Sequence, residues 1–255
     1  MGADAKRLSS RVHSWLRLST SDLSKTGRFR VVRDFRVTHR HYVDTGALSD
    51  THSGMCNLYR TRSSTAEIAQ LFRVEADTGA NFAVEVYPGY SGAVILEGQL
   101  RSMVWGFPLV LKSKKTGQPL KPKPVNNART DKLDSFMWRY SFAERRCLIP
   151  LTAWAEAQGQ KGGMTRTWLS LPDQELFAIA GIWRDSDEWG ECYSMVMTDA
   201  AGDAAQVHSR MPVILHPSNY AAWQCGSLNE AMALCVSFDG PLAIDRTAEP
   251  WVKGR

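Results

Sequence analysis

Residues 177–182, Phe-Ala-Ile-Ala-Gly-Ile, and residues 193–198, Tyr-Ser-Met-Val-Met-Thr, are short apolar runs rich in β-branched and aromatic side chains. Runs of this composition, bounded by Gly, Pro, Asp or Ser, are typical of strands. The same features predict four more strands, over residues 84–86, 94–96, 102–105 and 168–171.

Helix signals are few. Ser64-Thr-Ala-Glu67 has the spacing of a capping box, which predicts a helix over residues 65–73. Further helices are expected over residues 134–139 and after Pro217, because Pro is favourable at a helix start. The basic segment 112–124, with five lysines, is predicted to be an exposed loop. These elements together indicate an α+β domain dominated by antiparallel sheet.

Charge divides the chain at Met55. Residues 1–54 contain ten Lys or Arg and five acidic residues, whereas residues 55–255 contain 21 basic and 21 acidic residues. We interpret residues 1–54 as a basic extension, either disordered or the product of a misassigned upstream start, with Met55 as the true initiator. A transit peptide and a solvated arm that attracts nucleic acid are the alternatives. Residues 55–255 form one domain.

Composition excludes several classes of protein. No apolar run approaches the roughly 20 residues needed to span a bilayer, so no membrane partner is expected. The five cysteines are odd in number and form no CxxC pair, which argues against a disulfide framework, a zinc site or any other metal. We expect a monomeric cytoplasmic protein, associated with the nucleoid, that needs no cofactor.

Several polar groups stand out within this framework. Asn127 and Arg129 are two residues apart and would face the same way on a strand. Glu156 lies among aromatic and small residues, where burial would raise its pKa. His208 and Arg210 precede another predicted strand. A Cys, Asn, Glu and His set also suits a thiol hydrolase.

The order of these groups resembles the SRAP family, the SOS response-associated peptidases that process abasic sites. The resemblance runs from Met55 to about Leu215. It rests on these motifs: Met55-Cys56, Tyr87-Pro88-Gly89, Val104-Trp105-Gly-Phe-Pro108, Asn127-Ala-Arg129, Arg145-Arg-Cys-Leu-Ile-Pro150, Glu156, Ala180-Gly-Ile-Trp183 and His208-Ser-Arg-Met-Pro212. Members of the family begin at the Met-Cys pair and lose the Met, which supports Met55 as the start. The resemblance implies a single barrel-like domain with short flanking helices.

It also implies a reaction. Cys56, as the N-terminal residue, would cross-link to an abasic site in single-stranded DNA through its α-amine and its thiol, forming a thiazolidine that shields the lesion. A weak AP lyase activity would accompany the Schiff base. Glu156 and His208 would move protons, and Asn127 would hold the amine or the sugar oxygen.

The resemblance further implies a DNA-binding surface. Arg129 and Arg210 would bind phosphates beside the lesion, and Trp105 and Pro88 would wedge or stack beside the missing base. Because the domain has no net charge, we expect DNA affinity to depend on a local cluster, formed by Arg60, Arg62, Arg129, Arg145, Arg146 and Arg210. The alternatives are a thiol peptidase or amidase that uses Cys56 with His208 and Asn127, and a non-catalytic module that binds single-stranded DNA.

Overall fold

The computed structural model describes residues 56–251, so the expectations for the extension, residues 1–54, and for Met55 lie outside the described residues. The helices in that range are α1 (Thr65–Phe72), α2 (Arg139–Glu144), α3 (Tyr220–Cys225) and α4 (Leu228–Ala233). Short 3-10 turns cover Thr130–Lys132, Ala204–Gln206 and Pro217–Asn219. None of the described helices is long and apolar enough to cross a bilayer.

The strands of the same range are β1 (Leu58–Arg60), β2 (Glu75–Ala76), β3 (Glu85–Val86), β4 (Ser91–Leu96), β5 (Gln99–Trp105), β6 (Phe107–Leu109), β7 (Lys123–Val125), β8 (Asn127–Arg129), β9 (Arg146–Leu151), β10 (Ala153–Gln158), β11 (Thr165–Ser170), β12 (Phe177–Ser186), β13 (Gly190–Asp199), β14 (Arg210–Pro212), β15 (Ile214–Leu215) and β16 (Ala243–Pro250). All six predicted strand segments overlap observed strands.

Five strands of the larger sheet close into a barrel in the order β13, β12, β9, β4 and β5. Consecutive members pair antiparallel. A parallel pairing of β5 with β13, in which Trp105 lies opposite Tyr193, completes the ring. The prediction of an α+β domain with a mainly antiparallel, barrel-like sheet is therefore confirmed.

Alternate residues of these strands fill the barrel interior, because successive side chains of a strand point to opposite faces. Tyr193 and Met195 of β13 lie in one buried cluster with Trp105, and Tyr59 of β1 reaches into the same cluster. The Tyr59 and Tyr193 hydroxyls form a hydrogen bond with each other. Gly92 makes room for them, since a Cβ there would lie 1.9 Å from Tyr59 Oη and 2.1 Å from Tyr193 Oη.

The outer face of the large sheet is covered by the helices. Ile68 of α1 and Trp223 of α3 are buried in a second cluster with residues of β4, β9 and β12. Ser64 forms the predicted capping box with Glu67 at the start of α1. Trp223 Nε1 donates a hydrogen bond to the Cys147 carbonyl, 2.9 Å away, so α3 is fixed to β9.

A second sheet has the strand order β16, β11, β10, β1 and β3. Leu58 of β1 lies opposite Ala155 of β10, which brings the residues just before β1 alongside Glu156. Trp154 and Glu156 point to the same face of β10, and Trp154 belongs to the cluster in the barrel interior. This sheet therefore positions Cys56 and Glu156 next to each other.

Residues 134–139 are not the predicted helix. Successive turns occupy this segment, with hydrogen bonds from the Ser135 N–H to Lys132 O and from the Trp138 N–H to Ser135 O, and α2 begins only at Arg139. The Trp138 ring packs against Phe107, with centroids 5.1 Å apart. Burial of this indole overrides the local helical tendency of the segment.

Candidate active site at Cys56

Two neighbouring amides hold the Cys56 main chain. Asn126 Nδ2 and Asn127 Nδ2 donate hydrogen bonds to the Cys56 carbonyl oxygen, at 3.0 and 2.8 Å. Asn126 Nδ2 also lies 3.1 Å from Asn57 Oδ1. Asn127 is the first residue of β8, which pairs with β13 of the barrel. The position of residue 56 is therefore fixed relative to the barrel.

Asn126 is a site residue that the sequence analysis did not select. Its carbonyl accepts hydrogen bonds from Trp105 Nε1 at 3.1 Å and from the Met195 N–H at 3.0 Å. These contacts fix the backbone from which both amides project. The sequence signal that could have identified Asn126 is its position directly before Asn127, which offers two amides in succession, and both contact Cys56.

Glu156 lies next to Cys56 with only 1% of its surface exposed. Among the described residues, no donor completes a hydrogen bond to either of its carboxylate oxygens, and Asn127 Oδ1 is also buried without a partner. Burial raises the pKa of Glu156 well above its usual range, and the nearby Cys56 amide opposes this only in part. Burial therefore favours the protonated form of this carboxyl, and that form can act as a proton donor.

The Cys56 thiol is fully buried. Its Sγ–H points to the Leu58 carbonyl oxygen, 3.6 Å away. Burial, together with the charge of Glu156, raises the pKa of this thiol well above its usual value. The side chain is therefore a neutral thiol that needs a base before it can act as a nucleophile.

His208 is not joined to these three residues by any described hydrogen bond. Its Nδ1 accepts from the Arg210 N–H at 3.0 Å and lies 3.2 Å from the Arg210 carbonyl oxygen. In the tautomer in which Nδ1 accepts from the Arg210 N–H, the ring proton lies on Nε2. The ring is partly exposed.

Arg129 and Arg210 lie on the two sides of β13, where Arg129 is opposite Met197 and Arg210 is opposite Asp199. Arg129 forms a two-pronged contact with Asp131, at 2.9 and 2.8 Å. Arg210 Nη1 lies 2.8 Å from Asp199 Oδ1. Asp199 is largely exposed and Arg129 partly so, and exposed pairs of this kind exchange partners at little cost.

The two residues expected to wedge or stack beside the lesion differ in their surroundings. Trp105 is fully buried and its ring packs edge-on against Tyr59, with centroids 5.0 Å apart, so it offers no face to a nucleotide. The structure makes it a support for Asn126 instead. Pro88 is half-buried in a turn closed by a hydrogen bond from the Tyr90 N–H to the Tyr87 carbonyl, with Gly89 at φ +87°.

The expected cluster of six arginines is also corrected in part. Arg146 is buried and donates hydrogen bonds to the carbonyls of Phe142 and Ala143 at 2.7 and 2.8 Å, and to those of Trp223 and Gly226. It fastens the ends of α2 and α3, and four of its five N–H donors are engaged by these backbone carbonyls, so it is not available as a phosphate-binding group. No group of three or more His, Cys, Asp or Glu within residues 56–251 is placed to hold a metal ion.

Residues 55–242 match the family described as SOS response associated peptidase (SRAP). No curated protein matches the chain. The fold is similar to that of a crystallised protein from Bordetella bronchiseptica, with 21% identity, 75% of this chain and 99% of that chain covered, and a TM-score of 0.62. A protein from Bacteroides thetaiotaomicron gives 18% identity, coverages of 75% and 91%, and a TM-score of 0.61.

A phage-related protein from Bordetella bronchiseptica has 18% identity, coverages of 75% and 94%, and a TM-score of 0.58. These three likenesses establish the fold, and the family match covers most of the chain, including Cys56, Asn127, Glu156 and His208. The chain therefore belongs to the SOS response associated peptidase (SRAP) family, which is associated with the response to DNA damage.

Proposed function

We propose that the protein is an abasic-site sensor, which cross-links through an N-terminal Cys56 to abasic sites in single-stranded DNA and shields them. One observation carries the proposal: Glu156 and Asn127 present buried oxygens without donors beside a residue whose carbonyl is clamped. A free α-amine at residue 56 carries up to three N–H donors when protonated and would satisfy them.

The reaction requires Cys56 to be the first residue, because an internal Cys56 has its nitrogen locked in an amide. The family match begins at residue 55, which supports a reactive form that starts here. Initiation at Met55 with removal of the Met, or cleavage of the chain before Cys56, would both produce it. An ordinary α-amine has a pKa of about 7.7–8.0, so a freed amine of this kind is partly neutral near neutral pH and can attack an aldehyde.

A single carboxyl group, that of Glu156, can serve both proton transfers of the proposed reaction. The amine attacks C1′ of the ring-opened sugar, and the aldehyde oxygen becomes a hydroxyl. Glu156, whose protonated form is favoured by burial, donates a proton to that hydroxyl, which leaves as water as the C=N bond forms. The resulting carboxylate takes the proton of the Cys56 thiol. Sulfur then attacks the imine carbon, the C=N electrons return to nitrogen, and a five-membered thiazolidine is formed.

The DNA contacts follow from the groups around β13. Arg129 and Arg210 would exchange their exposed carboxylate partners for the phosphates that flank the lesion. His208 would use its Nε2 side to move a proton at the sugar, and Pro88 would stand beside the gap left by the missing base. An adduct that stops at the Schiff base permits β-elimination, so a weak AP lyase activity is part of the proposal.

A thiol peptidase that uses Cys56 with His208 is less well supported. Such an enzyme needs a thiolate next to an imidazole, whereas the Cys56 thiol has a raised pKa and contacts the Leu58 carbonyl. A non-catalytic module for single-stranded DNA would not explain the unpartnered carboxyl of Glu156.

Two proteins test the proposal, one that begins at Met1 and one that begins at Met55, with loss of the Met confirmed by mass. Each is incubated with single-stranded DNA that contains one abasic site and is run on a denaturing gel. We expect a covalent band from the Met55 form and none from the Met1 form, and none from Cys56→Ser. No band from either form would reject cross-linking and leave hydrolysis or plain binding.

A further inference from the structure

A hairpin formed by residues 107–125, here called the lysine arm, is a strongly basic exposed feature of the described domain. Its base is the antiparallel pair β6 and β7, in which Leu109 lies opposite Lys123. Pairing continues outward through a bridge between Lys112 and Pro119. At the tip, the Ser113 N–H donates to the Gln118 carbonyl at 2.8 Å. The arm is thus an ordered projection, where the sequence predicted a plain loop.

Charge on the arm is of one sign. It contains five lysines, and no acidic residue occurs between Glu97 and Asp131. All five lysines are exposed. Lys114, Lys115, Lys121 and Lys123 form no ion pair with another described residue. Because residues 55–255 have equal numbers of basic and acidic residues, the arm is a local concentration of positive charge on a neutral domain.

The arm is attached directly to the candidate active site. Strand β7 leads without a break into Asn126 and Asn127, which hold the Cys56 carbonyl. Lys123 is only four residues before Asn127, a span of at most about 14 Å of extended chain. A polyanion bound along the arm would therefore approach the amides that hold Cys56 at the base of the arm, near Lys123.

Aromatic groups next to the base of the arm favour a single nucleic-acid strand as the polyanion. Phe107, in β6, packs against Trp138. Directly after Trp138, the Arg139 guanidinium lies 4.7 Å from the Tyr140 ring centroid and 5.6 Å from that of Phe136. These rings are 65% and 50% exposed. Exposed rings beside cationic groups are the usual means of binding unpaired bases together with their phosphates.

We propose that the lysine arm binds the phosphates of the single strand that flanks the lesion and supplies much of the non-covalent affinity for DNA. The inference rests on the proposed function for its substrate, but it concerns binding alone and does not require the covalent step. The lysine arm would thus be a phosphate-binding site on an otherwise neutral domain, separate from Arg129 and Arg210.

The test measures the salt dependence of binding to lesion-free oligothymidine by fluorescence anisotropy, with the full chain. Lys114→Gln/Lys115→Gln removes two charges from the arm, and Arg73→Gln/Arg246→Gln removes two exposed charges elsewhere. Each phosphate contact contributes about 0.7 to the slope of log K against log salt for single strands, so the arm variant should lose about 1.4 from the slope. Extrapolated from about 1 M salt, this is roughly 25-fold weaker binding at about 0.1 M salt. The control should keep the wild-type slope.

Equal slopes for the arm variant, the control and the wild type would overturn the proposal. So would arm-dependent binding to vesicles of phosphatidylserine and phosphatidylcholine with no arm-dependent binding to oligothymidine. The outcome is independent of the chemistry at Cys56. A change of slope without any covalent band would reject cross-linking and support DNA binding by the lysine arm. A covalent band without a change of slope would support cross-linking and reject DNA binding by the arm.

Discussion

Glu156→Gln gives the sharpest test of the proton relay at Cys56. The substitution keeps the volume of the side chain and removes its proton. Neither carboxylate oxygen has a well-formed hydrogen bond in the described structure, and the only donor close enough to lower the pKa of Glu156 is the Cys56 amide, so little protein hydrogen bonding is lost. We expect the free energy of unfolding to change by at most about 2 kcal/mol, the cost of a buried polar group without a partner.

The rate of cross-linking should change far more. General acid and base catalysis contributes about 10²–10⁴-fold, or roughly 3–5 kcal/mol of activation free energy. The assay is a single-turnover time course with the form that begins at Met55, excess protein and end-labelled abasic DNA, resolved on a denaturing gel. Glu175→Gln is the matched control, since Glu175 is exposed and should react at the wild-type rate.

A Glu156→Gln variant that folds and forms the adduct within about threefold of the wild-type rate would refute this role, because that is far below the expected general acid contribution. A variant that forms the stable adduct slowly, yet is trapped by borohydride at the wild-type rate, would place the loss after imine formation, at sulfur attack. Binding to lesion-free DNA should be unchanged in either case.

Three further predictions concern stability. Gly92→Ala should lower the free energy of unfolding by about 1–3 kcal/mol, measured with urea, because its Cβ would collide with the Tyr59 and Tyr193 hydroxyls. Because the folded-state pKa of Glu156 is raised, its contribution to stability is complete below the unfolded value of about 4.3 and is lost as pH rises through the folded value. Relative to wild type, Glu156→Gln should therefore gain stability as pH rises, and a constant difference would contradict this. Arg146→Gln should destabilise by about 2–4 kcal/mol without altering the salt slope of DNA binding, since its donors serve four backbone carbonyls.

Local patterns were sufficient for much of the fold. The strand runs at residues 177–182 and 193–198 became β12 and β13, and the capping box at Ser64 began α1. Closure of the barrel was not readable in this way, because the parallel pairing of β5 with β13 joins segments about 90 residues apart. At Trp138 a local prediction failed for a non-local reason, since its packing on Phe107 takes the place of a helix that the local sequence favours.

In the candidate site too, some residues were identified from the sequence and others only from the structure. Asn127, Glu156 and Cys56 were named from the sequence, and the structure brings them together. Asn126 was missed because adjacent residues of a strand are expected to face opposite ways, whereas both amides of the Asn126-Asn127 pair reach the Cys56 carbonyl. The family resemblance implied a DNA contact for Trp105. An exposed and a buried indole have the same sequence signature, and only the barrel shows that this one is buried.

Tandem mass spectrometry of the adduct formed by the Met55 form with abasic single-stranded DNA tests the cross-link at Cys56 most directly. We expect one sugar attached at Cys56 through both nitrogen and sulfur, with a total mass equal to protein plus DNA minus one water, and an adduct that is stable without borohydride. An adduct on a lysine, an adduct at Cys56 that exists only after reduction, or no adduct would contradict it.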